Sequence, residues 1–264
     1  MKPALHIVKV GGNVIDHEER LHSFLQGFAL LEGRKVLVHG GGKMATRMAE
    51  DLGVPQRMVE GRRITDRDTL RIVTMVYAGE VNKSIVASLQ AMGCPSLGLC
   101  GADGDIIRAH RRRQGAIDYG FVGDVDAVDA DRLSRLMETG LCLVIAPITH
   151  DGHGQLLNTN ADTVAQEVAK AMSLSYDTTL LYCFEKAGVL LDAEDEGSVI
   201  PHIGPKLLTR LKEEKRIFAG MIPKLDNAMA ALQAGVGRVV IGQAEDWEGL
   251  TSGRKGTLVS LNEE

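Results

Sequence analysis

Twice in its first 42 residues the chain runs an apolar strand into a cluster of glycines and out into a helical pattern. Leu5-His6-Ile7-Val8 leads to Lys9-Val10-Gly11-Gly12, and Lys35-Val36-Leu37-Val38 leads to His39-Gly40-Gly41-Gly42, after which a helix-like stretch runs from Lys43 to Leu52. Glycine lets backbone N–H groups approach an anion with no Cβ in the way, and a following helix adds the positive end of its dipole. Neither junction matches G-x-x-x-x-G-K-[ST] or G-x-G-x-x-G, so the two best-known phosphate loops are excluded. A third small polar segment, Asn158-Thr159-Asn160-Ala161-Asp162, also stands where a strand gives way to a helix.

The rest of the chain keeps the same rhythm. β-rich runs at 5–10, 35–39, 96–99, 141–146, 178–183 and 237–241 alternate with helical patterns near 18–32, 43–52, 67–92, 129–139, 161–173, 205–214 and 224–235. Such alternation predicts an α/β fold with a mostly parallel central sheet covered on both faces. Only 4% of residues are aromatic, which suits a sheet core of Val, Ile, Leu, Ala and Met. Between about 104 and 125 the pattern changes to Asp105–Ala109, a basic tip, and Asp118–Val125, which predicts a β-hairpin lid beside the main sheet. Arg111, Arg112 and Arg113 are then its solvated tip. The 67–92 helix is unusually long and apolar at Leu70, Val73, Val76, Val81, Ile85 and Leu89. It reads as a candidate dimer helix, with a plain core helix as the alternative.

A net charge of −5 gives no support for a nucleic-acid surface. Cys94, Cys100, Cys142 and Cys183 form no C-x-x-C pair, and no leader or long apolar span is evident, so we expect free thiols, no membrane association and a cytoplasmic setting.

Charge is concentrated at a few positions. Lys9 closes an apolar strand, where a cation needs an anionic partner. Lys224, in Gly220-Met221-Ile222-Pro223-Lys224, falls at a helix start, where the dipole disfavours it. Asp162 stands just inside a helix capped by Asn160; it is either a simple N-terminal charge or the group that orients the two lysines. Arg62 and Arg63 precede a helix capped by Thr65 or Asp66, and one guanidinium can clamp a carboxylate. His150-Asp151-Gly152-His153 has metal-like spacing around a turn dipeptide, and we expect a turn there and no metal site.

Val8-Lys9-Val10-Gly11-Gly12, His39–Gly42, Gly61-Arg62-Arg63-Ile64-Thr65, Asp118–Gly123, Asn158–Asp162 and Gly220–Lys224 occur in the order and spacing of the N-acetylglutamate kinases, and along its whole length the chain resembles that branch of the amino acid kinase family. The resemblance implies a three-layer αβα sandwich formed by a single domain, with residues 1–173 binding the acyl amino acid and 174–264 the nucleotide. It implies transfer of the γ-phosphoryl group of ATP, carried with Mg2+, to the γ-carboxylate of N-acetyl-L-glutamate in arginine biosynthesis. Lys9 and Lys224 then neutralise the phosphoryl oxygens and Asp162 holds both lysines. Gly11 and Gly12 offer amides to the phosphates, and Phe184, Lys186, Gly188, Gly220 and Met221 belong to the nucleotide site. Gly41, Gly42, Arg63 and Asn158 bind the acyl amino acid.

The Val-Gly-Gly-Asn start separates the chain from aspartokinases, glutamate 5-kinases and uridylate kinases. Phe184-Glu185-Lys186-Ala187-Gly188-Val189-Leu190 departs from the family's Asp-Val-x-Gly-Val-Leu by an extra residue. The first strand is reached by Leu5, which predicts a homodimer insensitive to arginine. N-succinyl-L-glutamate is the alternative substrate. A non-catalytic nucleotide or amino-acid sensor is the alternative role, disfavoured because a sensor needs no charge aimed at a transferring group.

Overall fold

The computed structural model describes residues 2–59, 62–113, 115–192, 194–214, 216–217, 221–243 and 247–262. The chain opens with β1 (Ala4–Val10), the single turn α1 (Gly12–Ile15), α2 (Glu18–Leu30), β2 (Arg34–His39) and α3 (Gly42–Asp51). A short hairpin, β3 (Arg57–Val59) and β4 (Arg62–Ile64), precedes α4 (Arg67–Val73). A π-helical stretch, Thr74–Val81, joins α4 to α5 (Asn82–Ala91). Next come β5 (Ser96–Cys100), β6 (Ile107–Arg111), β7 (Gly123–Val128), α6 (Ala130–Glu138), β8 (Cys142–Ala146), β9 (Ile148–His150), β10 (Leu156–Asn158) and α7 (Ala161–Met172). The remainder is β11 (Asp177–Cys183), β12 (His202–Ile203), α8 (Pro205–Glu213), α9 (Ile222–Gln233), β13 (Arg238–Gly242), α10 (Trp247–Ser252) and β14 (Thr257–Val259).

An eight-stranded sheet in the order β12-β14-β13-β11-β1-β2-β8-β5 forms the middle layer. It is parallel from β13 through β5, and β14 turns antiparallel to β13 at one edge. β1 lies at the centre, paired with β2 on one side and β11 on the other. Strand alternation sends successive side chains to opposite faces. Leu5 and Ile7 join the apolar cluster under α6, α7, α8 and α9, while Val8 and Val10 join the cluster under α2, α3, α4, the π-helical stretch, α5 and α10. Both faces of the sheet are therefore covered, and the expected αβα sandwich is the fold observed.

The predicted 104–125 hairpin is present as β6 and β7, antiparallel partners in a separate four-stranded sheet, β10-β9-β6-β7. Arg111 and Arg112 brace it more than a solvated tip would: the Arg111 Nε donates to the Gly120 carbonyl at 2.6 Å, and Arg112 pairs with Asp124 at 2.5 Å. The segment after His150 is a turn, in which Asp151 Oδ1 accepts from the amides of His153 and Gln155.

Candidate active site

Lys9 lies in β1, whose odd-numbered residues Leu5 and Ile7 face the α7 and α9 layer, so alternation alone aims it there. α7 begins beyond β10 with Asn160 as its N-cap, the Asn160 Oδ1 accepting from the amides of Asp162 and Thr163 at 2.8 and 3.1 Å. That cap presents Asp162 on the first turn, at the end of the sheet where β1 finishes. α9 enters through Pro223 in its first turn, followed at once by Lys224. The three side chains converge. The Lys9 ammonium lies 2.7 Å from Asp162 Oδ1, and Lys224 donates to Asp162 Oδ2. Burial alone would push the Asp162 carboxyl up; the Lys9 and Lys224 charges override it and hold the pKa at about 2.

Two ammonium groups on one carboxylate leave the cluster with a net positive charge, and it lines a cleft of about 250 Å³ together with Gly11, Gly12, Asn13, Tyr182, Cys183, Phe184 and Glu185. The cleft lies at the carboxyl ends of β1 and β11, where open parallel sheets bind ligands. Tyr182, which sits opposite Lys9 in the register, escaped the sequence reading; its hydroxyl donates to the main-chain carbonyl of Asp162 at 3.2 Å and backs the cluster. The signal was available, since Tyr182 closes a strand parallel to that of Lys9, but register cannot be read from one sequence.

The other predicted nucleotide residues divide. Phe184 lines both this cleft and a neighbouring cavity of about 330 Å³, which Lys186 also lines while pairing with Glu196 at 3.1 Å. The Gly11 amide is spent on the Cys183 carbonyl at 2.9 Å, so it is not available to a phosphate as the sequence suggested; Gly12, the first residue of α1, keeps its place on the cleft. Gly188 is buried elsewhere: a Cβ there would meet Val199 at 2.7 Å and Thr257 at 2.8 Å, which makes it a packing glycine. Met221 precedes α9 and packs half-buried against the core. Gly220 lies outside the described residues.

A second group of predicted site residues, the candidate second wall, begins where β2 ends. Gly41 has φ +146°, and a Cβ there would meet the Tyr77 ring at 3.1 Å and Val81 at 3.2 Å, so both backbone and space require glycine. Both neighbours belong to the π-helical stretch, a form often found beside functional sites. Arg63 is buried and holds the same loop, its Nη2 donating to the Gly42 carbonyl at 2.8 Å and to Thr46 Oγ1 at 2.9 Å while Nη1 donates to Gln56. Asn158 donates from Nδ2 to the buried Thr65 hydroxyl at 3.0 Å, which ties β10 to the residue after β4. Hydrogen bonds thus link Gly42 to Arg63 and, through Thr65, Arg63 to Asn158, while Gly41 packs on the π-helical stretch.

His39 and Asn82 support that wall and were missed as site residues. His39 is fully buried. Its Nδ1 lies 2.8 Å from the Gly40 carbonyl and its Nε2 lies 3.1 Å from Asn82 Nδ2, which also donates to the Val144 carbonyl at 3.0 Å. An amide nitrogen can only donate, so Nε2 accepts and Nδ1 carries the proton. Burial holds the imidazole neutral by lowering its pKa to about 4.

The model of the amino acid kinase family matches residues 4–243. The chain belongs to the amino acid kinase family. It is 55% identical over 241 residues to the acetylglutamate kinase of Bacteroides fragilis, covering 91% of this chain and 92% of that one. It is 38% identical to the acetylglutamate kinase of Methanopyrus kandleri, covering 97% and 100%. Among solved structures, N-acetylglutamate synthase from Neisseria gonorrhoeae superposes with a TM-score of 0.81 at 21% identity, over 99% of this chain but only 60% of that one. Carbamate kinase from Giardia lamblia, bound to AMP-PNP, superposes with a TM-score of 0.67 at 11% identity over 99% of each chain. These last two likenesses are of fold alone. Among the described residues no helix is long and apolar enough to cross a membrane.

Proposed function

We propose that this amino acid kinase transfers the γ-phosphoryl group of ATP to the γ-carboxylate of N-acetyl-L-glutamate, forming N-acetyl-L-glutamyl 5-phosphate for arginine biosynthesis. The observation that carries the proposal is the meeting of Lys9 and Lys224, from opposite ends of the chain, on the buried carboxylate of Asp162 beside a glycine-lined cleft. Strong identity to acetylglutamate kinases supports the choice of substrate.

The attacking carboxylate is already ionised at neutral pH, so the reaction needs no general base. What it needs is the alignment of two anions that repel one another, and stabilisation of charge on the transferring group. A carboxylate oxygen attacks the γ-phosphorus, the bond to the β,γ-bridging oxygen breaks, and ADP leaves with that electron pair. Lys9 and Lys224 neutralise the phosphoryl oxygens from two sides, and Asp162 fixes their separation. Because Asp162 stays ionised down to about pH 2, it competes for no proton in the reaction. Gly41, Gly42, Arg63 and Asn158 hold the acyl amino acid, the Arg63 guanidinium exchanging a protein acceptor for the α-carboxylate. Gly12 and Phe184 contact the nucleotide. Magnesium travels on nucleotide oxygens and water, which suits a cleft whose Asp162 carboxylate is taken up by Lys9 and Lys224.

In this reading residues 1–173 take the acyl amino acid and 174–264 the nucleotide, and the enzyme works in the cytoplasm as a homodimer paired through the 67–92 helix, where Met75 is exposed. Gel filtration then gives twice the 28.5 kDa of the chain, unchanged by arginine; a monomer or hexamer mass overturns that assembly.

The function is tested by trapping the acyl phosphate as its hydroxamate while following ATP consumption, with N-acetyl-L-glutamate, N-succinyl-L-glutamate, glutamate and aspartate as acceptors. We expect hydroxamate from N-acetyl-L-glutamate, abolished in Lys9→Ala. A preference for the succinyl compound would keep the reaction and change the acyl group. No product from any acceptor, with ATP still bound, would replace the kinase by a sensor.

A further inference from the structure

One hydrogen-bonded chain crosses the cleft and takes no part in the mechanism above. Asp16, at the end of α1, has a side chain only 6% exposed, and two cations of α3 reach toward it: Lys43 Nζ at 3.9 Å and Arg47 at 3.5 Å. The Lys43 ammonium donates to Asn13 Oδ1, and Asn13 Nδ2 donates to Glu185 Oε1 at 2.7 Å. Asn13 and Glu185 both line the cleft that holds Lys9, Gly12 and Lys224.

The chemistry of this relay leaves the Asn13 amide one orientation. An ammonium can only donate and a carboxylate can only accept, so Oδ1 must face Lys43 and Nδ2 must face the cleft. The Asp16 carboxylate, 3.9 Å from the Lys43 ammonium, draws that charge to this side of the relay. The outcome is a neutral donor, aimed into a cationic cleft and now bonded to an anionic oxygen of an exposed side chain. A phosphate oxygen offers the same acceptor chemistry as the Glu185 carboxylate, with more charge and with Lys9 and Lys224 beside it.

We propose that Asn13 is a further nucleotide-binding residue that donates to a phosphate oxygen, that Lys43 is the positioning residue that fixes its amide, and that Glu185 is a built-in competitor displaced when the nucleotide enters. This rests on reading the cleft as the nucleotide site. It explains a physical oddity of the cleft: a carboxylate on a surface that must receive a polyanion. In the empty state Glu185 satisfies the donor and moderates the positive charge, and its exposure makes its release inexpensive.

The test is calorimetric titration with the magnesium complex of adenylyl imidodiphosphate, an unreactive ATP analogue, on the whole chain, with thermal melts as a check on folding. Asn13→Ala should weaken binding about tenfold, as expected for a hydrogen bond to a charged oxygen. Lys43→Met should weaken binding in the wild-type background and have no further effect in Asn13→Ala, because it acts through the amide. Glu185→Gln should tighten binding. An affinity within twofold of wild type in a folded Asn13→Ala variant overturns the proposal, as does weaker binding in Glu185→Gln. Additive losses in the Lys43 and Asn13 double variant would overturn the positioning role and put Lys43 on the phosphate itself. A wild-type chain that binds the analogue but makes no acyl phosphate defeats the function proposed above and leaves this inference standing; one that does not bind it defeats both.

Discussion

The two residue groups proposed to form the walls of the site are built on opposite physical terms. The Lys9–Asp162–Lys224 wall is charged, and three side chains from three distant segments hold one another through ion pairs. The Gly41–Arg63 group is shaped by contact and by hydrogen bonds to neutral acceptors: a glycine with positive φ against the π-helical stretch, the Arg63 guanidinium on the Gly42 carbonyl and Thr46, and a neutral His39 between Gly40 and Asn82. Electrostatic attraction falls off slowly with distance, so the first wall tolerates small displacements but no loss of charge. Close packing has no such latitude, so the second wall tolerates no added volume.

The sharpest way to break this contrast is to remove charge from the first wall without changing its bulk. Lys9→Met and Lys224→Met should each lower kcat about a hundredfold to a thousandfold, the usual loss when a group stabilising transition-state charge is removed. The KM for the acyl amino acid should change much less. Steady-state kinetics decide it, and a loss under tenfold would mean that the cluster is structural.

Adding volume to the second wall should do the reverse. Gly41→Ala puts a Cβ against Tyr77 and Val81 at a backbone angle that disfavours it, and should destabilise the fold by about 1–3 kcal/mol. It should raise the KM for the acyl amino acid while nucleotide affinity stays the same. Loss of both affinities together would show that the walls are coupled.

Asn82→Leu probes the support beneath. It leaves the buried His39 Nε2 with no donor and should cost about 1–3 kcal/mol, measured by urea denaturation. An unchanged midpoint would mean that His39 contributes only bulk.

The smallest effects at neutral pH are those of acid, and they separate the walls by pH. His39 is held at about 4 against an ordinary 6.5, so the unfolded chain takes up its proton first and stability declines as pH falls from 6.5 toward 4. Asp162 is held at about 2 against 3.8, so its contribution is complete above 3.8 and is lost as pH falls toward 2. His39→Asn should flatten the upper limb of a stability-against-pH curve and Asp162→Asn the lower. Loss of the same limb in both variants would contradict this assignment.

Local pattern was enough for most of the elements. The six long strands of the sheet and the helices at 18–30, 42–51, 130–138, 161–172 and 205–213 stand close to where periodicity puts them, because each is long and one-sided or wholly apolar. The edge strand β12 and its neighbour β14 were not legible: two or three residues carry no period, and β12 finds its partner only across the loop and helices that separate His202 from Leu258. Nor was the π-helical stretch, since the 67–91 sequence has the composition of an ordinary helix and the widened turn shows only in the backbone.

What the sequence determined by itself is the layered α/β fold and the types of residue at the strand ends: two lysines, an aspartate and two glycine runs, each identifiable from its neighbours. Tertiary structure alone decided which of these became a site. It joined Lys9 to Lys224 through Asp162, spent the Gly11 amide on Cys183, turned Gly188 into a packing residue, and brought His39, Asn82 and Tyr182 into support. The reason is that alternation and capping act over a few residues and leave a local trace. Register between strands and the partner of a given donor, by contrast, are settled only when segments far apart in sequence pack against one another.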